Sequence, residues 1–382
     1  MSELTKSELE KQMEYCLSKV EMGIEKFKYG MFPRNYPQNS MGTGYRAMEI
    51  SGWENGFWAG MVLLAYEMTG DKKYLEVNEC HIKEFYERVI NKYSLDHHDI
   101  GFEYTLSCVA SYKVTGNKLA RKAALLAADE LCKRYTSVGK FIKPWGEMND
   151  PVEHRIIVDT YLNLPLLFWA SEESGDIKYS EIAKNHLQTT VDVLVRPDGR
   201  AYHTYMMEHK YGNPIMPKVD QGYSNDSVWA RGQAWVIYGL ALAYSYTGNQ
   251  HLKEVQRLAT EQFIARLPED NIPAWDMIFT DSRTLKDTSA AAIAACGMLE
   301  MNRLHPDHPD KKRWEEKVYD MLYELDKNHT TRIEDDNSNA ILTHATSDVC
   351  RDYGLNVSLI YADYYYMESL VRLLKPDWKR YW

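Results

Sequence analysis

Four short turns of the same kind recur along this sequence and divide it into helical hairpins. Each turn reads Ser or Thr, then Gly, then Asp or Asn, and the glycines are Gly70, Gly116, Gly175 and Gly248. Glycine ends a helix readily because it adopts the left-handed conformation without strain, and the following Asp or Asn caps the next helix. Because the glycines are 46, 59 and 73 residues apart, the repeat is too long and too uneven for a tetratricopeptide array.

Apolar residues recur at helical spacing over most of the chain, which predicts about twelve helices in six hairpins. The predicted helices are residues 5–29, 55–69, 72–92, 101–115, 117–135, 159–173, 177–194, 229–246, 250–266, 288–303, 310–327 and 362–374. Strand patterns are short and are limited to Ala201–Met206 and Ile272–Phe279.

Six hairpins of this length predict an all-α fold, an (α/α)6 barrel. One helix of each hairpin would lie inside the barrel and one outside, with a few short strands at the mouth. An open helical solenoid is the alternative architecture. No polar linker divides the chain, so residues 1–382 are expected to form a single domain.

The composition limits the partners and the location of the protein. A formal charge of −10 disfavours nucleic-acid backbones and anionic membranes as partners. We find neither a signal peptide nor an apolar run of the ~18 residues needed to span a bilayer. Six scattered cysteines without a C-x-x-C pair indicate a soluble protein of a reducing compartment, the cytoplasm. The sequence carries no signal for an oligomeric state.

The sequence predicts neither a cofactor nor a metal. No glycine-rich phosphate loop follows a strand, and no ligand triad has zinc spacing. His97 and His98 are adjacent, so their side chains diverge and cannot both bind one ion without strain. Aromatic residues are frequent, with 10 Trp and 28 Tyr. Their flat faces and polar edges suit stacking on sugar rings, although a large aromatic core explains them equally well.

The turn glycines also locate the starts of the inner helices. Counting 17 residues back from each glycine leads to Trp53, Asp99, a position beside Asp159, and Arg231. Two later inner helices without this turn open on Asp287 and Asp363. Aspartate is a preferred N-cap, which is the competing explanation for these two acids, but capping does not explain Trp53 or Arg231. Because parallel inner helices begin at the same mouth of a barrel, the set predicts a site there.

Several motifs surround these positions. They are WENGFW (53–58), HHDIGF (97–102), KPWG (143–146), VDTYLNL (158–164), YHTY (202–205) and DSVWARGQAW (226–235). In this order they closely resemble the unsaturated glucuronyl hydrolases, glycoside hydrolase family 88. The resemblance extends from about Trp53 to Tyr366. W-A-R-G-Q-A-W and H-D-I-G-F are specific together and only moderately so alone.

The resemblance implies an (α/α)6 barrel that acts on oligosaccharides left by polysaccharide lyases. Such enzymes hydrate the C4=C5 double bond of the terminal unsaturated uronic acid, and the resulting hemiketal opens and releases the neighbouring sugar. The catalytic residues implied by the motif match are Asp159, as acid and base, and Asp99, as a second carboxylate. The implied sugar-binding residues are Trp53, His98, Trp145, His203, Gln221, Trp229, Arg231 and Trp235. The implied partner is an unsaturated uronyl oligosaccharide of the glycosaminoglycan type.

Elementary chemistry agrees with these roles but is less specific. Protonating an alkene carbon needs an acid that keeps its proton near neutral pH. Asp159 precedes an apolar run, so burial is expected to raise its pKa, and a nearby Asp99 would raise the pKa further. A substrate carboxylate needs a cation, which Arg231 could supply as a planar fork between two Trp faces.

Four questions stay open at the level of sequence. The related unsaturated rhamnogalacturonyl hydrolases share the fold and the key aspartate, and a non-catalytic helical-repeat scaffold would need neither. His203 is as well explained by packing as by sugar binding. Some family members that prefer sulfated disaccharides carry an S-x-x-S-x-K motif, whereas Ser347–Asp352 here reads SDVCRD and lacks the second Ser and the Lys. A preference for sulfated substrates is therefore an open question.

Overall fold

A computed structural model describes residues 4–27, 32–33, 44–333 and 336–382. The α-helices within these ranges are α1 (Lys6–Phe27), α2 (Asn55–Thr69), α3 (Lys73–Ile90), α4 (Ile100–Tyr104), α5 (Ala110–Thr115), α6 (Lys118–Cys132), α7 (Leu164–Ser174), α8 (Ile177–Leu194), α9 (Ala230–Thr247), α10 (Gln250–Ile264), α11 (Thr288–Leu304), α12 (Lys311–Asn328) and α13 (Ile360–Leu374). The helix predicted for residues 5–29 ends at Phe27, and residues 28–29 lie outside the described ranges.

Six inner helices close into a ring. α2, the α4–α5 helix, α7, α9, α11 and α13 each pack against the next, and α13 packs back against α2. The helices α1, α3, α6, α8, α10 and α12 lie outside this ring. The closure confirms the (α/α)6 barrel and rules out an open solenoid, in which the first and last repeats would not touch.

The two layers differ as their sequences require. Inner helix α9 is buried on every side from Ala230 to Ala243, whereas outer helix α10 buries a single face. Glycines let the inner helices approach closely, and a Cβ on Gly297 would lie 2.7 Å from the Cα of Tyr238. The interior between these inner helices is therefore a packed core.

The repeated turns have the predicted geometry. The four glycines, Gly70, Gly116, Gly175 and Gly248, have φ values of 73°, 73°, 76° and 64°. The side chain of Asn117 accepts hydrogen bonds from the backbone of Leu119 and Ala120, and Asp176 and Asn249 cap α8 and α10 in the same way. These caps satisfy backbone N–H groups that have no partner inside the helix.

Two inner helices are irregular within their first turns. The helix predicted for 101–115 is interrupted by a π-helical segment, Thr105–Val109. The helix predicted for 159–173 begins as a 3-10 turn, Val158–Leu162, and continues as α7 from Leu164. Pro165 is tolerated in the first turn of α7, where its missing N–H would have no partner in any case.

The strands are short. They are β1 (Phe32–Pro33), β2 (Ala47–Met48), β3 (Tyr135–Thr136), β4 (Phe141–Ile142), β5 (Arg155–Ile157), β6 (Thr204–Met207) and β7 (Pro214–Lys218), and β5–β6–β7 form an antiparallel sheet. The strand predicted at 201–206 is found as β6. The strand predicted at 272–279 is wrong, because Ala274 and Asp276 make only isolated bridges, to Lys286 and Trp229. Two different single-residue partners cannot sustain a ladder.

Candidate active site

The starts of the inner helices surround a cavity of about 180 Å³. Nine of the ten predicted site residues line it, namely Trp53, His98, Asp99, Trp145, Asp159, His203, Gln221, Trp229 and Arg231. Trp235, one helical turn beyond Arg231, is fully buried below the cavity and is not part of its wall. The wall is completed by Ile157, Asp220, Ser347, Arg351 and Tyr361.

A larger hollow of about 480 Å³ lies elsewhere, between Asp192 and Pro214. Its two acids, Asp192 and Asp198, are both exposed, and Asp198 is paired with Arg200 at 2.7 Å. This hollow therefore lacks a shielded carboxyl that could transfer a proton, and size alone does not identify the site.

The β5–β6–β7 sheet and the 3-10 turn that follows β5 together place Asp159 in the cavity. The β5–β6 ladder continues past Ile157, since the backbone N–H of Val158 donates to the carbonyl of His203 at 3.0 Å. The chain then enters the 3-10 turn that carries Asp159. One carboxyl oxygen of Asp159 is buried and accepts no hydrogen bond among the described residues.

Burial raises the pKa of Asp159 to about 7, and the negative charge of Asp99 adds to this effect. Arg231 and the indole N–H of Trp235, which faces the carboxyl without completing a hydrogen bond, act in the opposite direction. A carboxylic acid with such a pKa holds a proton near neutral pH and can donate it.

Asp99 lies among donors. Its Oδ1 accepts a hydrogen bond from Nδ2 of Asn163 at 3.2 Å and lies 3.3 Å from Nε2 of His98, and its Oδ2 lies 3.8 Å from Nδ1 of His97. Burial raises the pKa of Asp99, whereas His97 and the Asn163 amide lower it. Burial also lowers the pKa of His98 to about 3, so that this imidazole is neutral.

His203 presents a defined donor to the cavity. Its Nδ1 accepts the backbone N–H groups of Asp220 and Gln221, at 3.0 and 3.3 Å. Burial lowers the pKa of His203 to about 3, so the neutral ring must carry its proton on Nε2. Among the described residues Nε2 has no partner, which suits an atom that donates to a bound molecule.

Arg231 has more protein partners than the sequence indicated. Its side chain is 3% exposed, and Nη1 donates to Oδ2 of Asp287 at 2.6 Å. The guanidinium also donates to the carbonyls of Thr346 and Ser347, at 2.8 and 2.7 Å. The expected sandwich between two Trp faces is wrong, because the guanidinium lies over Trp229 and Tyr361. Arg231 thus joins α9 to α11 and to the segment that carries Arg351.

Asp287 and Asp363, which the sequence left as either helix caps or site residues, have different positions in the structure. Asp287 caps α11 through the N–H of Ser289 and pairs with Arg231 below the cavity. Asp363 is no cap and does not reach the cavity, since it accepts hydrogen bonds from Tyr45 and from the backbone of Ile341 and Leu342. α13 begins at Ile360, so Tyr361 is its residue at the mouth.

Five wall residues were not among the predicted site residues, although Ser347 and Arg351 belong to the SDVCRD segment that was compared with the sulfate-related motif. Ser347 and Arg351 belong to an irregular segment, and Arg351 stands at the rim with 65% of its side chain exposed, paired with Asp348 at 2.6 Å. Asp220 precedes the predicted Gln221 and pairs with Arg155 at 3.1 Å. Within the part of the chain that the structure describes, no His, Cys, Asp and Glu residues form a group of three that could hold a metal ion.

An (α/α)6 barrel with two aspartates at an aromatic-lined mouth is typical of glycoside-processing enzymes, and the comparisons agree. The model of Glycosyl Hydrolase Family 88 matches residues 25–373. An unsaturated chondroitin disaccharide hydrolase of Streptococcus pyogenes is 39% identical, over 99% of this chain and 94% of its own. An unsaturated glucuronyl hydrolase of Bacillus sp. GL1 is 37% identical, over 92% of this chain and 94% of its own.

A solved structure supports the same family assignment. The unsaturated glucuronyl hydrolase of Streptococcus agalactiae superposes with a TM-score of 0.95 at 38% identity, covering 100% of this chain and 95% of that chain. The chain therefore belongs to glycoside hydrolase family 88. It is an enzyme of the unsaturated glucuronyl hydrolase type, and the alternative of a non-catalytic scaffold is excluded.

Proposed function

We propose that this enzyme hydrates the C4=C5 double bond of an unsaturated glucuronyl residue at the non-reducing end of glycosaminoglycan-type oligosaccharides. The neighbouring sugar is then released. The observation that carries the proposal is Asp159, a shielded carboxyl with a pKa of about 7 in a small aromatic cavity. Hydration of an enol ether requires this kind of acid, because the first step transfers a proton to carbon.

The reaction balances with Asp159 as its proton donor and acceptor. Asp159 gives its proton to C4 while a water molecule adds to C5, and the Asp159 carboxylate takes up a proton from that water. The product is a hemiketal at C5. Opening of the ring leaves a ketone at C5 and a hemiacetal at C1, which collapses to an aldehyde and releases the neighbouring sugar. Asp99 keeps its negative charge throughout and holds Asp159 in the protonated form at the start of each cycle.

The remaining wall residues suit a terminal uronate. Trp53, Trp145 and Trp229 offer aromatic faces to a sugar ring. Nε2 of His203 donates to a hydroxyl or carboxylate oxygen, and the guanidinium of Arg231 favours a carboxylate electrostatically in an otherwise acidic protein. We assign the exposed Arg351 at the rim to the leaving sugar, where its guanidinium would meet a further anionic group.

The relatives support the pair of aspartates and the substrate class. Two solved variants of the Streptococcus agalactiae enzyme each replace one Asp with Asn, and one contains dGlcA-GalNAc6S. The two substituted positions are 60 residues apart there, as Asp99 and Asp159 are here. A variant of another such enzyme contains dGlcA-Glc-Rha-Glc. We assign the catalytic roles of Asp159 and Asp99, and the sugar-binding roles of the other wall residues, on this basis.

The test is consumption of lyase-generated disaccharides, followed by the ultraviolet absorbance of the conjugated C=C bond. The panel contains chondroitin-type disaccharides with and without 6-sulfate, a heparin-type disaccharide and an unsaturated rhamnogalacturonyl disaccharide. We expect the absorbance to fall with the chondroitin-type compounds, and the free aminosugar to appear in equal amount. Turnover of the rhamnogalacturonyl compound alone would overturn the proposal.

Chelation is expected to leave this turnover unchanged. The proposed chemistry needs only a proton donor and a water, and His98 and Asp99 have partners in the protein that account for their positions. The measurement compares the initial rate before and after exhaustive dialysis against EDTA, with a dialysed sample without EDTA as the control. Loss of activity that a divalent ion restores would require a metal in the mechanism.

We further propose that the enzyme is a single catalytic domain that acts in the cytoplasm on imported fragments. None of the six cysteines forms a disulfide, which suits a reducing compartment. Among the described residues no helix is both long and apolar enough to cross a bilayer.

A further inference from the structure

The side chain of Asn163 connects the two aspartates of the site. Asn163 is completely buried between the 3-10 turn of Asp159 and the first turn of α7. An asparagine at this position usually caps the helix that follows, but this side chain makes no capping hydrogen bond. Its Nδ2 instead lies 3.2 Å from Oδ1 of Asp99 and 3.5 Å from the backbone carbonyl of Asp159.

The orientation of this amide is determined by its other end. The backbone N–H of Phe102 donates to Oδ1 of Asn163 at 2.9 Å. With the amide turned round, its NH₂ group would face this donor and its oxygen would face Asp99. The group that Asn163 presents to Asp99 is therefore an N–H donor, and a donor binds a carboxylate more strongly than a protonated acid.

The backbone holds this contact rigidly. A Cβ on Gly101 would lie 2.3 Å from the Cα of Asn163 and 2.4 Å from its carbonyl oxygen. Only glycine permits the start of α4 to lie directly against the turn of Asp159. The Asn163 backbone therefore cannot move away from the Asp99 segment, and the Phe102 N–H holds the amide in place at 2.9 Å.

We propose that Asn163 is a positioning residue that keeps the shared proton of the two aspartates on Asp159, by donating a hydrogen bond to Asp99. The inference rests on the proposed function and extends it to a residue that does not line the cavity. When one proton is shared by two carboxyls, it can reside on either of them. Stabilising the Asp99 carboxylate favours the arrangement in which Asp159 is the acid.

Other charged and titratable groups face the pair and are left unchanged by the test. They are His97, His98 and Glu103 on the Asp99 segment and α4, Glu54 at the start of α2, Arg88 on α3 and Arg231 on α9. Glu103 pairs with Arg88 at 3.0 Å behind the site. The Asn163 amide is thus a contact that can be removed from Asp99 without altering a charge, while the neutral His98, 3.3 Å from the same oxygen, stays in place.

Replacing Asn163 with alanine should lower kcat/KM by roughly 10- to 100-fold, the effect of one hydrogen bond to a charged group. Without its donor Asp99 competes for the proton, and the pair holds that proton to higher pH in an unproductive position. The alkaline limb of the pH profile should therefore move up by about one unit while the plateau falls. A variant with unspecific structural damage would lose activity with the limb in place, and that result would overturn the proposal.

Carbon-13 NMR of the aspartate carboxyls in the substrate-free protein tests the same point independently of turnover. We expect Asp159 to titrate near neutral pH in the wild type, and Asp99 to take over the higher pKa in Asn163→Ala. An unchanged assignment would contradict the inference. Because this readout needs no substrate, it stays decisive even if the panel of disaccharides shows no activity and the proposed function fails.

Two further variants keep the test decisive. Asn163→Asp preserves shape and, when protonated, offers an O–H donor to Asp99, so its activity relative to Asn163→Ala should rise at acid pH. Equal activities of the two variants at every pH would count against the proposal, and Asn163→Asp serves alone if the alanine variant does not fold. Asn78→Ala removes an equally buried amide, one that donates to Ser111 at 2.8 Å, and should leave the pH profile as in the wild type.

Discussion

Replacing Asp159 with asparagine is expected to lower kcat on unsaturated chondroitin-type disaccharides by roughly 10²- to 10⁴-fold, the usual effect of losing a general acid. Asparagine keeps the shape of the side chain but cannot transfer a proton to carbon. In the wild type, activity should fall as pH rises through about 7, where Asp159 loses its proton. The absorbance assay across pH measures both effects. Activity of Asp159→Asn within a few-fold of the wild type would remove Asp159 from the mechanism.

The same variant should be more stable than the wild type at alkaline pH. The pKa of Asp159 is raised from 3.8 to about 7 by folding, so the wild type loses stability as pH rises between these values and bears the full cost above 7. Asparagine carries no such cost. Thermal unfolding at acid and alkaline pH measures the difference. Asp176→Asn, at the exposed cap of α8, is the matched control and should change neither activity nor its pH dependence.

Replacing Asp287 with asparagine is expected to destabilise the fold by about 3–5 kcal/mol, because it leaves the buried guanidinium of Arg231 without its counter-charge. Both side chains are almost fully buried, with 3% and 0% exposure, and they lie 2.6 Å apart. Urea unfolding measures the loss. Glu254→Gln breaks the exposed pair with Arg257 and should change stability by less than about 1 kcal/mol.

The double variant Arg231→Met with Asp287→Asn separates stability from catalysis. Removing both charges should recover much of the lost stability, since an apolar side chain in place of a buried ion pair is often tolerated. Activity should stay low, because Arg231 lines the cavity and its guanidinium anchors the carbonyl of Ser347. Recovery of both stability and activity would show that Arg231 serves only the fold.

Several elements of the fold follow from short stretches of sequence. The glycine turns at Gly70, Gly116, Gly175 and Gly248 occur as predicted, because a left-handed cap and the Asp or Asn after it involve only neighbouring residues. Counting back from these turns led to Trp53, Asp99, Arg231 and the neighbour of Asp159, and the structure brings these three residues and Asp159 to one cavity. The 17-residue count locates the mouth correctly because every inner helix runs in the same direction and has nearly the same length.

Features that depend on contacts between distant residues were not predicted correctly from the sequence. The 272–279 segment alternates like a strand, yet the chain around it offers only isolated partners, Trp229 and Lys286. Asp363 and Asp287 both look like helix caps in the sequence. Only one of them caps a helix, because the start of α13 lies three residues before Asp363. Trp235 has the motif of a sugar-binding residue but lies below the cavity, supporting Asp159 from beneath.

The sequence by itself therefore determined the helical hairpins and most of the residues at the mouth, since caps, periodicity and turn spacing are local properties of the chain. The closure of the hairpins into a barrel was decided by the packing of α13 against α2. Only the tertiary structure decided which of those residues meet. The contacts of Arg231 with Asp287, and of Asn163 with Asp99, join residues 56 and 64 positions apart. Such contacts exist because successive inner helices pack side by side, α4 against α7 and α9 against α11, and no periodicity along the chain specifies the distances between them.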